Sequence, residues 1–120
     1  MHGNHRLKEL TELMLHYSGF IMNRFEQAKG TGEKGDFFEE VKPFADEVRV
    51  RAGEWKAETL VWLEQNPQRN LHPKQIDATA DNIEMVSIQA FFPETSRKRF
   101  MGHIQSIDYV LQSLLDLIKK

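Results

Sequence analysis

Apolar residues recur along this chain at steps of three and four, in four runs separated by turn-forming residues. The richest run lies between Asp36 and Asn66. Read as one helix, it places Phe37, Val41, Phe44, Val48, Ala52, Trp55, Thr59 and Trp62 on a single stripe. That is the period of a helix face packed on other helices. Asp36 suits the N-cap, and Glu39 three residues on supplies an acidic version of the capping box. Pro43 falls inside the pattern, where it cannot donate to the Glu39 carbonyl. The stripe keeps its register across Pro43, so the pattern predicts a kink near residues 39–43. The alternative is a short helix ending at Lys42 and a new one starting at Pro43.

The other three runs read the same way. A first helix, about residues 5–29, carries Leu7, Leu10, Met14, Tyr17, Ile21, Phe25 and Ala28, widened by Leu13 and Phe20. Gly19 costs about 1 kcal/mol there relative to alanine, and it is expected to admit a close neighbour such as a tryptophan. Gly30–Gly35 then forms a turn. A third helix, about 73–92, opens at His72 with Pro73 in its first turn and Gln75 at N3. Its stripe is Ile76, Ala80, Ile83, Val86 or Ser87, Ala90 and Phe91, and its small residues predict close packing. Phe92-Pro93 ends it. A fourth, about 96–119, is capped by Thr95 or Ser96. It carries Phe100, Ile104, Ile107, Leu111, Leu114 and Ile118, broadened by Val110, Leu115 and Leu117. Lys119 and Lys120 complement the negative helix end.

Four helices, short connections and no alternating strand pattern predict an all-α fold. It is an antiparallel up-down-up-down four-helix bundle, the second helix kinked near Pro43, with both termini at one end. The length of 120 residues fits a single domain spanning 1–120. The absence of cysteine excludes disulfides and thiolate metal sites. A net charge of −2 argues against a dedicated nucleic-acid binder. No apolar run approaches the ~20 residues that span a bilayer. Glu9, Glu12, His16 and Arg24 interrupt any leader-like segment. A cytoplasmic location without membrane contact is expected.

Tests for chemistry find little. The Gly30–Gly35 loop is no phosphate cradle, because Asp36 follows where Lys-Ser/Thr is needed and the preceding segment is helical. His2, His5, His16, His72 and His103 have no Glu three residues before them, so the di-iron bundle pattern is missing. His16 and His103 would meet if the first and fourth helices are adjacent, with Asp108 on the same segment as His103. No serine sits in a glycine-flanked elbow. Asp46, Glu47, Glu54 and Glu58 fall on the outer face of the second helix, and Asp81 and Glu84 make at most half a paired-carboxylate site.

Charge is uneven. Residues 36–66 hold eight acidic and four basic side chains, and residues 93–120 hold three and five. Arg97, Lys98 and Arg99 occupy the first turn of the fourth helix, against its dipole. Salt bridges to the acidic second helix are the expected compensation, and a bound anion or acidic partner the alternative. Tryptophans on a helical stripe are core residues as a rule. Trp62, near its helix end, is the better placed of the two for a pocket or a partner groove.

The runs Asp36-Phe37-Phe38 and Val41-Lys42-Pro43, then Trp55, His72-Pro73-Lys74-Gln75-Ile76 and Lys98-Arg99-Phe100, resemble the YppE-like family of small proteins from Bacillus and its relatives. The resemblance implies a four-helix up-and-down bundle in a Firmicute cytosol. It implies no activity, cofactor or active site. The expected function is therefore a non-enzymatic module that binds an unidentified protein partner or itself. A small-molecule or metal-binding bundle with a site near its tryptophan-bearing end is the alternative. Neither catalytic nor metal residues nor a cofactor are expected, and the candidate binding residues are Arg97, Lys98, Arg99 and Trp62.

Overall fold

The computed structural model describes residues 3–119, so His2 and Lys120 lie outside it. Four α-helices follow in order: α1 (Gly3–Thr31), α2 (Lys42–Gln65), α3 (Pro73–Gln89) and α4 (Arg97–Ile118), with a π-helical turn, Phe37–Val41, running into α2. Among the described residues there is no strand. Each helix packs on its neighbours in sequence, α4 closes the ring against α1, and the α2–α3 contact is the most extensive. The small residues of the α3 face, Ala80, Ser87 and Ala90, are buried there. Asn4 and His5 line a shallow groove with Ile118 and Lys119, so the described ends of α1 and α4 lie together. The molecule measures 46 × 26 × 20 Å, and a 29-residue helix accounts for nearly all of its length at about 1.5 Å per residue.

The predicted stripes of α1, α3 and α4 are buried in full. At the bundle centre Trp55 is completely enclosed, and its Nε1–H donates to Thr11 Oγ1 at 3.1 Å. Thr11 in turn donates to the Leu7 carbonyl at 2.7 Å. An indole is mostly apolar surface with one donor, and burying it stabilises the core only when that donor finds an acceptor. Toward the end holding the C-terminus of α1, Phe25 stacks on Phe100 with ring centroids 3.9 Å apart.

The second stripe departs from its regular pattern at both ends. Trp62 is half-buried at the core margin, and Leu63 is the residue that enters the core. Phe37 is 52% exposed. The cause is the π turn. Val41 N–H donates to the Asp36 carbonyl at 3.0 Å and Lys42 N–H to the Phe37 carbonyl, both five residues back. This wider turn swings Phe37 off the α-helical stripe. Pro43, which lacks an N–H, lies in the first turn of α2, where that lack is tolerated. The capping interaction shifts with the turn. Asp36 Oδ1 accepts from Glu39 N–H at 2.8 Å, but the carboxylate that reaches back to Asp36 N–H is Glu40, not Glu39.

Gly32, with φ +73°, ends α1 in the left-handed conformation that glycine adopts without strain. Gly35 N–H donates to the Phe91 carbonyl at 2.8 Å, and a Cβ at Gly35 would stand 2.7 Å from the Phe91 ring. That contact pins the loop to the end of α3. Gly19 admits no close neighbour: a Cβ there would meet nothing within 4 Å. α3 stops at Gln89, short of 92, because the chain must leave helical geometry before Pro93. Thr95 Oγ1 then caps the Gln89 carbonyl, while Ser96 caps α4.

Thr11→Val removes the acceptor of the Trp55 indole while keeping the side chain's shape. It is expected to destabilise the bundle by about 1–3 kcal/mol, since a buried donor is left unpaired. Thr11→Ser keeps the oxygen and should cost about 1 kcal/mol for its lost methyl. Urea unfolding of both variants checks this, and equal losses would refute the role given to the hydrogen bond.

Candidate functional site

At the start of α4 the three cations behave differently. Arg97 makes a two-pronged pair with Glu26 of α1, at 2.7 and 2.9 Å, and its guanidinium sits 5.3 Å from the centre of the Phe25 ring. The compensating partner is thus on α1 rather than on the acidic α2, because α4 packs on α1 and lies diagonally across from α2. The hydrogen bond from Arg97 holds the Glu26 carboxyl below the ordinary carboxylate value. Lys98 and Arg99 are exposed, and among the described residues no carboxylate lies within 4.0 Å of either. The α2 acids are engaged locally: Asp46 with Lys42 and Arg49, Glu54 with Arg51 and with Arg6 of α1.

The end of the bundle that carries Trp62 has a groove of about 410 Å³ between α2 and α3, lined by Leu60, Leu63, Leu71 and His72 among others. Trp62 is not part of its wall. Trp55, the other tryptophan, is sealed in the core. His16 is exposed and His103 half-buried. Asp108 accepts a hydrogen bond from the buried Ser18 hydroxyl at 2.6 Å, joining α4 to α1. Among the described residues no three His, Asp or Glu side chains gather in a metal-binding arrangement, and no helix is long and apolar enough to cross a membrane.

The π turn presents a different kind of feature. Phe37 and Phe38 stand edge to face, centroids 5.2 Å apart, with Phe38 78% exposed. The turn beneath them is held at several points. Asp36 and Glu40 cap it, Gly35 ties its lead-in to Phe91, and Arg24 of α1 reaches Glu40 at 3.5 Å. Arg24 is nine-tenths buried, lies 4.7 Å from the centre of the Phe91 ring, and has no hydrogen-bond partner at Nε. Val41 is buried. The turn is therefore anchored underneath and aromatic on top.

Residues 11–118 match the model of a bacterial domain of unknown function, DUF1798. The chain belongs to this family. It is 28% identical over 114 residues to the uncharacterized protein YppE of Bacillus subtilis, across 95% of this chain and 93% of YppE. A crystal structure of a protein of unknown function from Listeria innocua superposes with a TM-score of 0.93 at 25% identity, covering 98% of this chain and 94% of that one. The YppE crystal structure gives 0.87 at 28% identity, covering 92% and 90%.

In this DUF1798 chain the polar residues that join helices were not legible as partners. Tyr17, read as core from its spacing, donates its hydroxyl to Glu47 at 2.5 Å and packs edge-on against Phe44. Arg24 registered only as a break in an apolar run. Phe38 carried one usable signal: it lies off the apolar stripe of its helix. Tyr109, 64% exposed on α4, carried none.

Burial, then the hydrogen bond to Glu47, raise the Tyr17 phenol above its ordinary value. A raised folded-state value stabilises the fold fully below the unfolded tyrosine's value near 10 and loses that contribution as pH rises beyond it. Tyr17→Phe is expected to cost about 1–3 kcal/mol at neutral pH, with the gap to the parent narrowing above pH 10. Denaturation across pH 7 to 11 checks this, and a constant gap would contradict the assignment.

Proposed function

We propose that this protein is a non-enzymatic protein-interaction module of the bacterial cytoplasm, and that Phe37 and Phe38 are its anchor residues. The observation that carries the reading is the aromatic pair itself. Two adjacent phenylalanines stand in solvent on a turn whose other side is fixed by Asp36, Glu40, Gly35 and Arg24. Pre-organised aromatic side chains supply binding energy without a large ordering cost, and they dominate contact surfaces. π turns inside helices are frequent at functional sites.

The interior supports the same reading. The buried hydroxyls of Thr11, Thr59, Thr79 and Ser87 each donate to a carbonyl of their own helix, those of Leu7, Trp55, Gln75 and Glu84, and that of Ser18 donates to the Asp108 carboxylate across to α4. These groups are engaged in the architecture. The acidic surround of the pair, Asp36, Glu39 and Glu40 against Lys42, favours a partner whose aromatic-binding pocket has a basic rim.

A photo-cross-linking amino acid placed at Phe38 in living bacteria tests this. The expected result is a discrete product with a second, different protein, absent when the probe is placed at the exposed Glu58. It should also be lost when Phe37→Ser is added to the Phe38 probe. An identical pattern from the Glu58 control, or no product at all, would overturn the assignment. Phe37→Ser with Phe38→Ser should lower the melting temperature only slightly, because Phe38 is largely exposed and Phe37 about half so.

A further inference from the structure

We infer that α4 is also a self-association face, on which a second copy of this chain packs antiparallel. The inference rests on the interaction-module reading but assigns a different surface, since α4 lies diagonally across the bundle from α2.

In a chain that is 28% charged, the exposed residues of α4 between Arg99 and Asp116 are Gly102, Gln105, Ser106, Tyr109 and Gln112, none of them charged, and the one acid between them, Asp108, is partly buried and engaged with Ser18. Depletion of charge with an exposed tyrosine is the composition of an interface centre. The relief of the surface is matched to its own reverse. Tyr109 projects, 64% exposed, with open grooves of about 620 Å³ toward α1 and about 470 Å³ toward α3 on its two sides. Gly102, two turns earlier on the same stripe, carries no side chain and leaves a gap in the row of side chains, with open space around it: a Cβ there would meet nothing within 4 Å. Knob and gap are seven residues apart, about 10.5 Å along the helix. A two-fold axis passing between Gln105 and Ser106 sets each Tyr109 over the other copy's Gly102. Such an isologous contact uses every complementarity twice.

Charge selects the same direction. In that register the start of one α4 meets the end of the other, so Lys98 faces Ser113 and lies one turn from Asp116. Lys98 and Arg99 have no carboxylate within 4.0 Å among the described residues. Asp116 is exposed and, among the described residues, accepts a hydrogen bond from Gln112 at 3.1 Å. Two cations sitting against their own helix dipole thus gain the anion and the negative helix end of a second copy. A parallel arrangement would set like charges together at both ends.

The experiment is sedimentation equilibrium of the full chain, with a melting curve for each variant. The parent is expected to dimerise. Gly102→Arg, which fills the gap without touching the core, should weaken dimerisation at least about tenfold, as should Tyr109→Ala, the size of loss typical for an interface anchor. Lys98→Asp and Asp116→Lys should each weaken it, and the two together should restore it. The parent has no cysteine, so Ser106→Cys near the axis should cross-link to its own copy through a short bis-maleimide while Glu58→Cys does not. A parent that is monomeric at all concentrations, or a double charge reversal no better than either single change, would overturn the proposal. Loss of the Phe38 cross-link with dimerisation intact would overturn the partner reading alone.

Discussion

The enclosure of one indole organises this bundle. Trp55 has the largest fully buried side chain in the molecule, and its single N–H must be answered inside the core. Thr11 answers it from α1, which fixes how far α1 and α2 slide past one another. An apolar stripe alone specifies a face but tolerates slippage by a turn. A buried donor facing one hydroxyl does not, because any other register strands it at a cost comparable to a large fraction of a small domain's stability.

That register is repeated along the whole seam. Thr11 meets Trp55, Tyr17 meets Glu47 and Arg24 meets Glu40 in the turn ahead of α2, so contacts ascending α1 descend the second segment, while the long Arg6 side chain reaches Glu54 beside Trp55. The Arg6–Glu54 pair is exposed and individually weak, and Arg24 reaches Glu40 from a buried position, but both agree with the buried hydrogen bond. The opposite seam, α1 with α4, is marked by Ser18 with Asp108, Phe25 on Phe100 and Glu26 with Arg97. Consistency among many weak preferences and one strong one is what separates a unique bundle from its slipped alternatives.

Periodicity made the helices and most of their core faces legible, because burial of a stripe is decided by spacing along one helix, and the short connections made their antiparallel order legible. Which polar residue answers which across a seam is decided by register between helices, and spacing carries no information about that. Trp55 was readable as core, but Thr11 was not readable as its acceptor. Arg97 was readable as needing a partner, but Glu26 was not distinguishable from the more numerous acids of α2. The same limit hid the surface. Phe37 fits the α-helical stripe perfectly by number, and only the change from four-residue to five-residue hydrogen bonding removes it.

Pro43 stands in the first turn of α2, where its missing N–H is tolerated, and the turn that leads into it is the wider, five-residue kind. Widening rotates the preceding residues, so an aromatic that would have filled the core is turned toward solvent beside Phe38. Such an exposure is unfavourable to folding, since each phenylalanine left in water forgoes about 1.5–3 kcal/mol of burial. The fold holds the turn anyway, with a buried arginine over Phe91 and a glycine too close to Phe91 to accept a side chain. A five-residue turn fixed from beneath by Arg24 and Gly35 and carrying two exposed rings is a rigid mount for aromatic side chains, and that rigidity is the physical basis of the anchor role proposed for them.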